Sequence, residues 1–396
     1  MAVGASLANA LGYVLTVAGA RLLGPEEFGA FGALLALLIV GNVAALAGQA
    51  TTARAVARGE AVTPSVRSGL ALAVTVGVGL AALSPALAAF LELDSVVPAL
   101  GAAVSIAALT ATAPALGIVQ GRERFRALGV LVAGQAALRV VGGLVGMAVR
   151  PTTSAALVGM AAGLVVAALG AWMVARPPVY PGGRHTLGAA MRAALASGAM
   201  LLGFIVLTNA DVVLARHVLT AEASGLYAAG SIFSKIAFWL PQFVPLIAFP
   251  AMTDPRRRRG AVRLGLLAVF ACGGLLVAGT AVLAEPAVAI VAGYKYAELS
   301  PWVAGFTALG ALLAIAQLLV YAHLASGDRM TTMVVWLVLA AYIAVVELTA
   351  SNLAGVLFPA MTAASLVVVW GLVRERGRSR SQNLVGADQD RRPLPT

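Results

Sequence analysis

Charge is what this chain lacks most. Only 11% of its 396 residues are Asp, Glu, Lys or Arg, and 61% are hydrophobic. A soluble domain carries roughly a quarter charged residues, so this chain has too little polar surface to hide its apolar mass in water. Cysteine and histidine are scarcer still. The lone Cys272 excludes a disulfide framework, and His185, His217 and His323 are too widely separated for a compact zinc site. No catalytic residue, metal or cofactor is suggested. Acidic residues are also outnumbered, 16 against 27 basic ones, for a net charge of +11. Such a balance points to nucleic acid when the bases form a patch, but here they sit in short connections beside apolar runs, which excludes that partner.

What the chain has in abundance is long apolar segments. A bilayer core about 30 Å thick takes about 20 apolar residues per helical crossing, and runs of that length recur from end to end. Charged and Pro/Gly-rich breaks divide the chain into twelve predicted spans, near 2–22, 29–51, 68–91, 96–118, 127–149, 154–175, 191–217, 224–250, 261–284, 300–323, 330–349 and 352–373. Residues 1–5 lack the charged leader and cleavage site of a secretory signal, so the first run reads as a retained helix.

The arginines fall in alternate connections: Arg54, Arg58 and Arg67, then Arg122, Arg124 and Arg126, then Arg176, Arg184 and Arg192, then Arg256 to Arg259 with Arg263. With twelve spans, 21 of the 27 Lys and Arg lie on one side, while the acids divide evenly. Orientation follows Lys and Arg rather than net charge, so the arginine-rich side and both termini are expected in the cytoplasm. The polar stretch 377–396, rich in Arg, Ser and Gln, is expected to be a disordered cytoplasmic tail.

An internal repeat divides the remainder. The segment Arg21-Leu-Leu-Gly-Pro-Glu26-Glu-Phe-Gly29-Ala-Phe31-Gly-Ala33 matches Arg216, Glu222, Gly225, Tyr227 and Ala229 with one extra residue before the second Glu. Each copy joins the first two spans of a six-span unit in the same orientation. This predicts two parallel six-helix halves, 1–184 and 185–376, around a central cavity, an architecture of alternating-access carriers.

Embedded charges mark where such a cavity would be. A charge at mid-span costs roughly 2.5–3.5 kcal/mol on insertion scales and normally faces protein or water. Arg139, Asp211 and Lys235 are the candidates, with Asp211 and Lys235 close enough in depth to pair; Glu347 lies nearer a membrane surface. Asn9 on the first span, Asn42 and Gln49 on the second, Gln135 with Arg139 on the fifth and Gln242 with Lys235 on the eighth add neutral polar groups at helical spacing, one face of each helix. Pro241, Pro245 and Pro250 predict kinks in the eighth span. The GxxxG pairs Gly117/Gly121, Gly142/Gly146 and Gly159/Gly163 predict close helix packing.

The residues from Ala20 to Gly29 resemble the Ala-Arg-x-Leu-Gly signature, closing on Tyr/Phe-Gly, of bacterial polysaccharide-export flippases in the multidrug/oligosaccharidyl-lipid/polysaccharide (MOP) exporter superfamily. Gly121-Arg-Glu-Arg-Phe-Arg126, Asn209-Ala-Asp211 through Tyr227, and Phe249-Pro-Ala-Met252 agree with it. The resemblance implies a MATE-like flippase that moves an undecaprenyl-pyrophosphate-linked oligosaccharide between leaflets, alongside polymerase and glycosyltransferase partners. Many relatives have fourteen spans, two more than fit here. On that reading Arg139 and Lys235 neutralise pyrophosphate, the Asn and Gln side chains bind sugar hydroxyls, and Asp211 with Glu347 exchanges H+ or Na+. Two rivals remain: a drug/cation antiporter of the same superfamily, which predicts an embedded acid in the first half, and a non-transporting cell-envelope scaffold.

Overall fold

The computed structural model describes every residue except 1, 61, 177–186, 243, 245–256, 325–327 and 390–396. Among the described residues there are thirteen α-helices and no strand. They are α1 (Ala2–Leu22), α2 (Pro25–Ala57), α3 (Val62–Phe90), α4 (Val97–Gly121), α5 (Phe125–Val149), α6 (Thr153–Ala175), α7 (Leu187–Val218), α8 (Ala221–Trp239), α9 (Arg258–Val282), α10 (Ala284–Val291), α11 (Val303–Leu324), α12 (Arg329–Thr349) and α13 (Leu353–Gln389). Ten stretches are long and apolar enough to cross a membrane. A helix also stands at the other two predicted spans, but the apolar part of α1, Leu7–Leu22, is short, and α8 is described only as far as Trp239. Pro245, Pro250, Arg256 and the Phe249–Met252 motif lie outside the described residues.

Local chemistry sets the helix ends. Pro25 opens α2 with Glu26 and Glu27 in its first turn, where a missing N–H is harmless and negative charge meets the helix dipole. Thr152 and Thr220 cap α6 and α8, each accepting the N–H of the residue three positions on at 3.3 Å. Helix α10 was expected to be loop. Its eight residues are too few to cross a bilayer, but Pro286 suits its first turn, and Gly293, at φ +100°, ends it by donating to the Val288 carbonyl at 2.9 Å. At the other end of the chain α13 continues to Gln389, past Gly377 where composition predicts disorder. Elongating a helix already nucleated in the membrane adds one hydrogen bond per residue fixed, which Arg, Ser and Gln tolerate.

Small residues let the helices approach closely. A Cβ added to Gly142 would lie 2.8 Å from the Gly159 carbonyl carbon, and one on Gly159 2.8 Å from that of Gly142, so α5 and α6 meet backbone to backbone. Gly117 and Gly121 bring α4 equally near α2, where an added Cβ would sit 2.6 Å from the Gln49 and Ala53 carbonyl oxygens. All three GxxxG pairs therefore serve packing inside the chain.

The helices pair in a pattern that occurs twice. In α1–α6, α1 packs on α5, α2 and α3 on α4, and α4 and α5 on α6. In α7–α13, α7 packs on α12, α8 and α9 on α11, and α11 and α12 on α13. With α10 set aside, these are the same pairings by position. The two groups meet chiefly where α2 runs along α7 and α8. Burial along α2 is dense from Phe28 to Leu38 and then sparse, with Ala45 alone buried before Thr52. The groups are thus tightly joined at the arginine-poor end and less so toward the arginine-rich end.

Candidate functional site

Helix α1 brings together residues from both groups. Gly12 lies beneath the Arg139 guanidinium of α5, where an added Cβ would be 3.6 Å from Nη2. Next to it the Tyr13 hydroxyl donates to the Lys235 carbonyl of α8 at 2.8 Å. One turn of α1 therefore touches the Arg139 guanidinium on one side and the main chain of α8 at Lys235 on the other, one from each helical group. Arg139 is half-buried, and its Nε is buried without a hydrogen-bond partner. A buried guanidinium N–H left unmet is costly, so this nitrogen is available to an anionic or carbonyl ligand.

Lys235 is held differently from the sequence expectation. Its Nζ donates to Asn209 Oδ1 at 3.0 Å on α7. No ion pair to Asp211 forms, although the two charges interact at longer range. Asp211 is buried, accepts from the Tyr227 hydroxyl at 3.4 Å through Oδ2, and leaves Oδ1 without a partner. The hydroxyl of Tyr342 on α12 is also buried and unpartnered, within electrostatic reach of the same carboxylate. Asp211, Tyr227 and Tyr342 thus form a polar nest in the second group with unused acceptor and donor capacity, chemistry that a proton or a small cation satisfies.

The other predicted residues divide. Gln135 is half-buried one turn before Arg139 on α5, Asn42 is half-buried on α2, and Asn9 is exposed on α1. Gln49 donates to Gln120 Oε1 at 2.8 Å, so its amide is engaged between α2 and α4. Glu347 is far from mid-membrane chemistry and lies 3.5 Å from His217 at the arginine-poor end. The side chain of Gln242 lies outside the described residues. Sequence reasoning passed over Tyr342 and did not weigh Asn209 as a lysine partner. Asn209 stands out only once α7 and α8 are set side by side; Tyr342 carries no signal beyond being a polar tip in an apolar helix.

A family model described as polysaccharide biosynthesis protein matches residues 19–301. The chain belongs to that family. No protein of curated function matches it. Solved structures share its fold. An inward-facing multidrug resistance MATE family transporter of the MOP superfamily superposes with a TM-score of 0.71 at 14% identity, covering 95% of each chain. The lipid II flippase MurJ in an inward closed conformation gives 0.72 at 13% identity, over 95% of this chain and 87% of that one. An outward-facing MATE transporter gives 0.59 at 14% identity, over 96% and 95%. The chain is accordingly an all-helical, multi-pass membrane protein with the MOP transporter fold.

Proposed function

We propose that this protein is a flippase that carries a polyprenyl-pyrophosphate-linked oligosaccharide from the cytoplasmic to the outer leaflet of a bacterial cytoplasmic membrane. The observation that carries this reading is Arg139, whose guanidinium lies against Gly12 of α1 with its Nε buried and unpartnered, while the opposite helical group supplies a second cation, Lys235, on the helix whose main chain Tyr13 of α1 contacts. A pyrophosphate needs its hydration replaced inside the membrane; arginine can grip two of its oxygens at once while lysine acts as a point charge. Membership of a polysaccharide-biosynthesis family supports a sugar-bearing cargo.

The lipid tail must stay in hydrocarbon while the headgroup crosses. Helix α1 touches α8 only sparsely among the described residues, whereas α7 packs along α2. The α1–α8 side is thus the natural slot for a polyprenyl chain. On this reading residues 1–184 and 185–376 act as two halves that rock about the α2 contact. Both termini face the cytoplasm with the arginine-rich connections. On this reading the arrangement described above, with the groups joined more tightly at the arginine-poor end, is one that opens inward. Asp211 couples the cycle to H+ or Na+ through the nest it shares with Tyr227 and Tyr342, while Glu347 sits at the outer rim. A polymerase and glycosyltransferases acting on the same lipid-linked sugar are the expected partners.

Depletion in the host tests the reading: lipid-linked oligosaccharide accumulates on the cytoplasmic leaflet, and Arg139→Ala reproduces the accumulation at normal protein levels. Drug sensitivity tracking the protein while export is unaffected would instead identify a drug/cation antiporter. Normal export by both Arg139→Ala and Asp211→Asn would favour the scaffold.

A further inference from the structure

The two copies of the repeated segment do more than join helices. Each ends its first helix with an arginine, Arg21 in α1 and Arg216 in α7, and each arginine reaches into the opposite group. Arg216 donates from Nε to the Leu91 carbonyl and from Nη2 to the Glu92 carbonyl, both at 2.8 Å, where α3 has just ended. Its Nη1 adds the Glu26 carbonyl at 3.4 Å and Ser224 Oγ at 3.2 Å. Arg21 makes the reciprocal move, donating to the Ile290 carbonyl near the end of α10, after the corresponding third span of the second group. Lys295 returns the contact by donating to the carbonyls of Arg21, at 3.1 Å, and Leu23.

The acceptors are chosen by physics. Carbonyls at a helix C-terminus have no intrahelical partner and carry partial negative charge, so a guanidinium placed there satisfies several at once. Beside this contact the hairpins interlock: a Cβ on Gly29 would lie 2.9 Å from the Gly225 nitrogen, and one on Gly225 would lie 2.5 Å from the Pro25 carbonyl carbon. His217 stacks on Phe90 at 3.9 Å between centroids and bonds its carbonyl at 2.8 Å. Among the described residues, and apart from that of Tyr13 at mid-helix, the side-chain hydrogen bonds that join the two groups gather at this end.

We propose that Arg21 and Arg216 are crossed latches that hold the arginine-poor end shut, each anchored in one group and closing on a helix end of the other. This rests on the alternating-access reading above. Opening to the outside withdraws both guanidinium groups and leaves the carbonyls of Leu91, Glu92 and Ile290 to water. The latches are unequal. Arg216 is 6% exposed and meets four acceptors, whereas Arg21 is exposed and meets one, so Arg216 sets the balance and Arg21 trims it.

The test is the reactivity of a cysteine placed beneath the seal. Thr16 lies on α1 one turn beyond Tyr13 toward the latch, and its hydroxyl bonds only its own helix, at 3.0 Å to Gly12, so Thr16→Cys in a Cys272→Ser background is a mild change. In intact cells a membrane-impermeant maleimide should label it slowly. Arg216→Gln should raise the rate about tenfold, the population shift expected for losing one charge-assisted bond's worth of bias; Arg21→Gln should raise it less, and Arg216→Lys should restore much of the closure. Unchanged labelling in monodisperse Arg216→Gln and in Arg21→Gln overturns the latch. Should Arg216→Gln fail to fold, exposed Arg21→Gln together with Lys295→Gln decides on the same readout. Because labelling needs no cargo, faster labelling in a protein whose depletion leaves oligosaccharide export intact upholds the latch and refutes the flippase.

Discussion

Replacing Gly142 by alanine puts the packing of α5 to a direct test. The new methyl would start 2.8 Å from the Gly159 carbonyl carbon and nearer still to its oxygen. Carbon atoms pack at roughly 3.5–4.0 Å, so α6 has to retreat by about 1 Å. What blocks the methyl is backbone, which cannot swing aside as a long side chain can. Overpacking of this kind costs typically about 1–3 kcal/mol, and an immovable obstacle belongs at the upper end. At roughly 2 °C per kcal/mol for a chain of this size, the melting temperature falls by about 4–6 °C. Gly134, two turns earlier on the same helix, is the control, since an added Cβ there meets nothing within 4 Å. Gly134→Ala gains up to about 1 kcal/mol of helix propensity, leaving the midpoint level or slightly higher. Tryptophan fluorescence of detergent-solubilised protein during heating reads both. Equal midpoints for the two variants, or an undisturbed Gly142→Ala, would refute the close approach of α5 and α6.

Lys235→Met strands the Asn209 carbonyl oxygen and removes the cation between α7 and α8; on the proposed function we expect leaflet-resolved export of the lipid-linked oligosaccharide to drop at least about tenfold, with Lys235→Arg retaining part of it. Asp211→Asn keeps the shape of the Tyr227–Tyr342 nest but not its charge, so the dependence of transport in vesicles on the H+ or Na+ gradient should disappear while the protein stays folded. Asp328 caps α12 and accepts from Met330, Thr331 and Arg374 at 3.1–3.2 Å; Asp328→Ala should cost about 1–3 kcal/mol, read as a lower thermal midpoint. Glu60→Ala should leave that midpoint unchanged, because its 3.7 Å pairing with Arg58 is solvent-exposed.

The helices were legible because a span leaves a long apolar imprint. Helix α10 escaped because eight residues between a span and a turn read as connection, and polar composition after Gly377 did not reveal that α13 runs on. Depth along a helix pointed to Arg139, Asp211 and Lys235, of which Asp211 is buried and the other two half-buried. Depth says nothing about azimuth, however. Asp211 and Lys235 share a level, yet Lys235 turns to Asn209 and Asp211 to Tyr227. Gln49 likewise sits at helical spacing with other polar groups but is spent on Gln120, and Tyr342 becomes notable only once α12 is packed against α7. The Arg21 and Arg216 copies were visible as a repeat; that each would reach across to the other group was not, because their acceptors are main-chain carbonyls and no residue type advertises them.

The lopsided surroundings of α1 matter for anything that docks beside the protein. Helix α7 is backed by α2, but α1 meets α8 through little more than one phenol. Seen from above the bilayer, the molecule therefore has a front and a back. If the protein carries a glycolipid as proposed, an enzyme handing one over would approach from the front, and a neighbour pressed against that flank would stall delivery without touching a residue of the site.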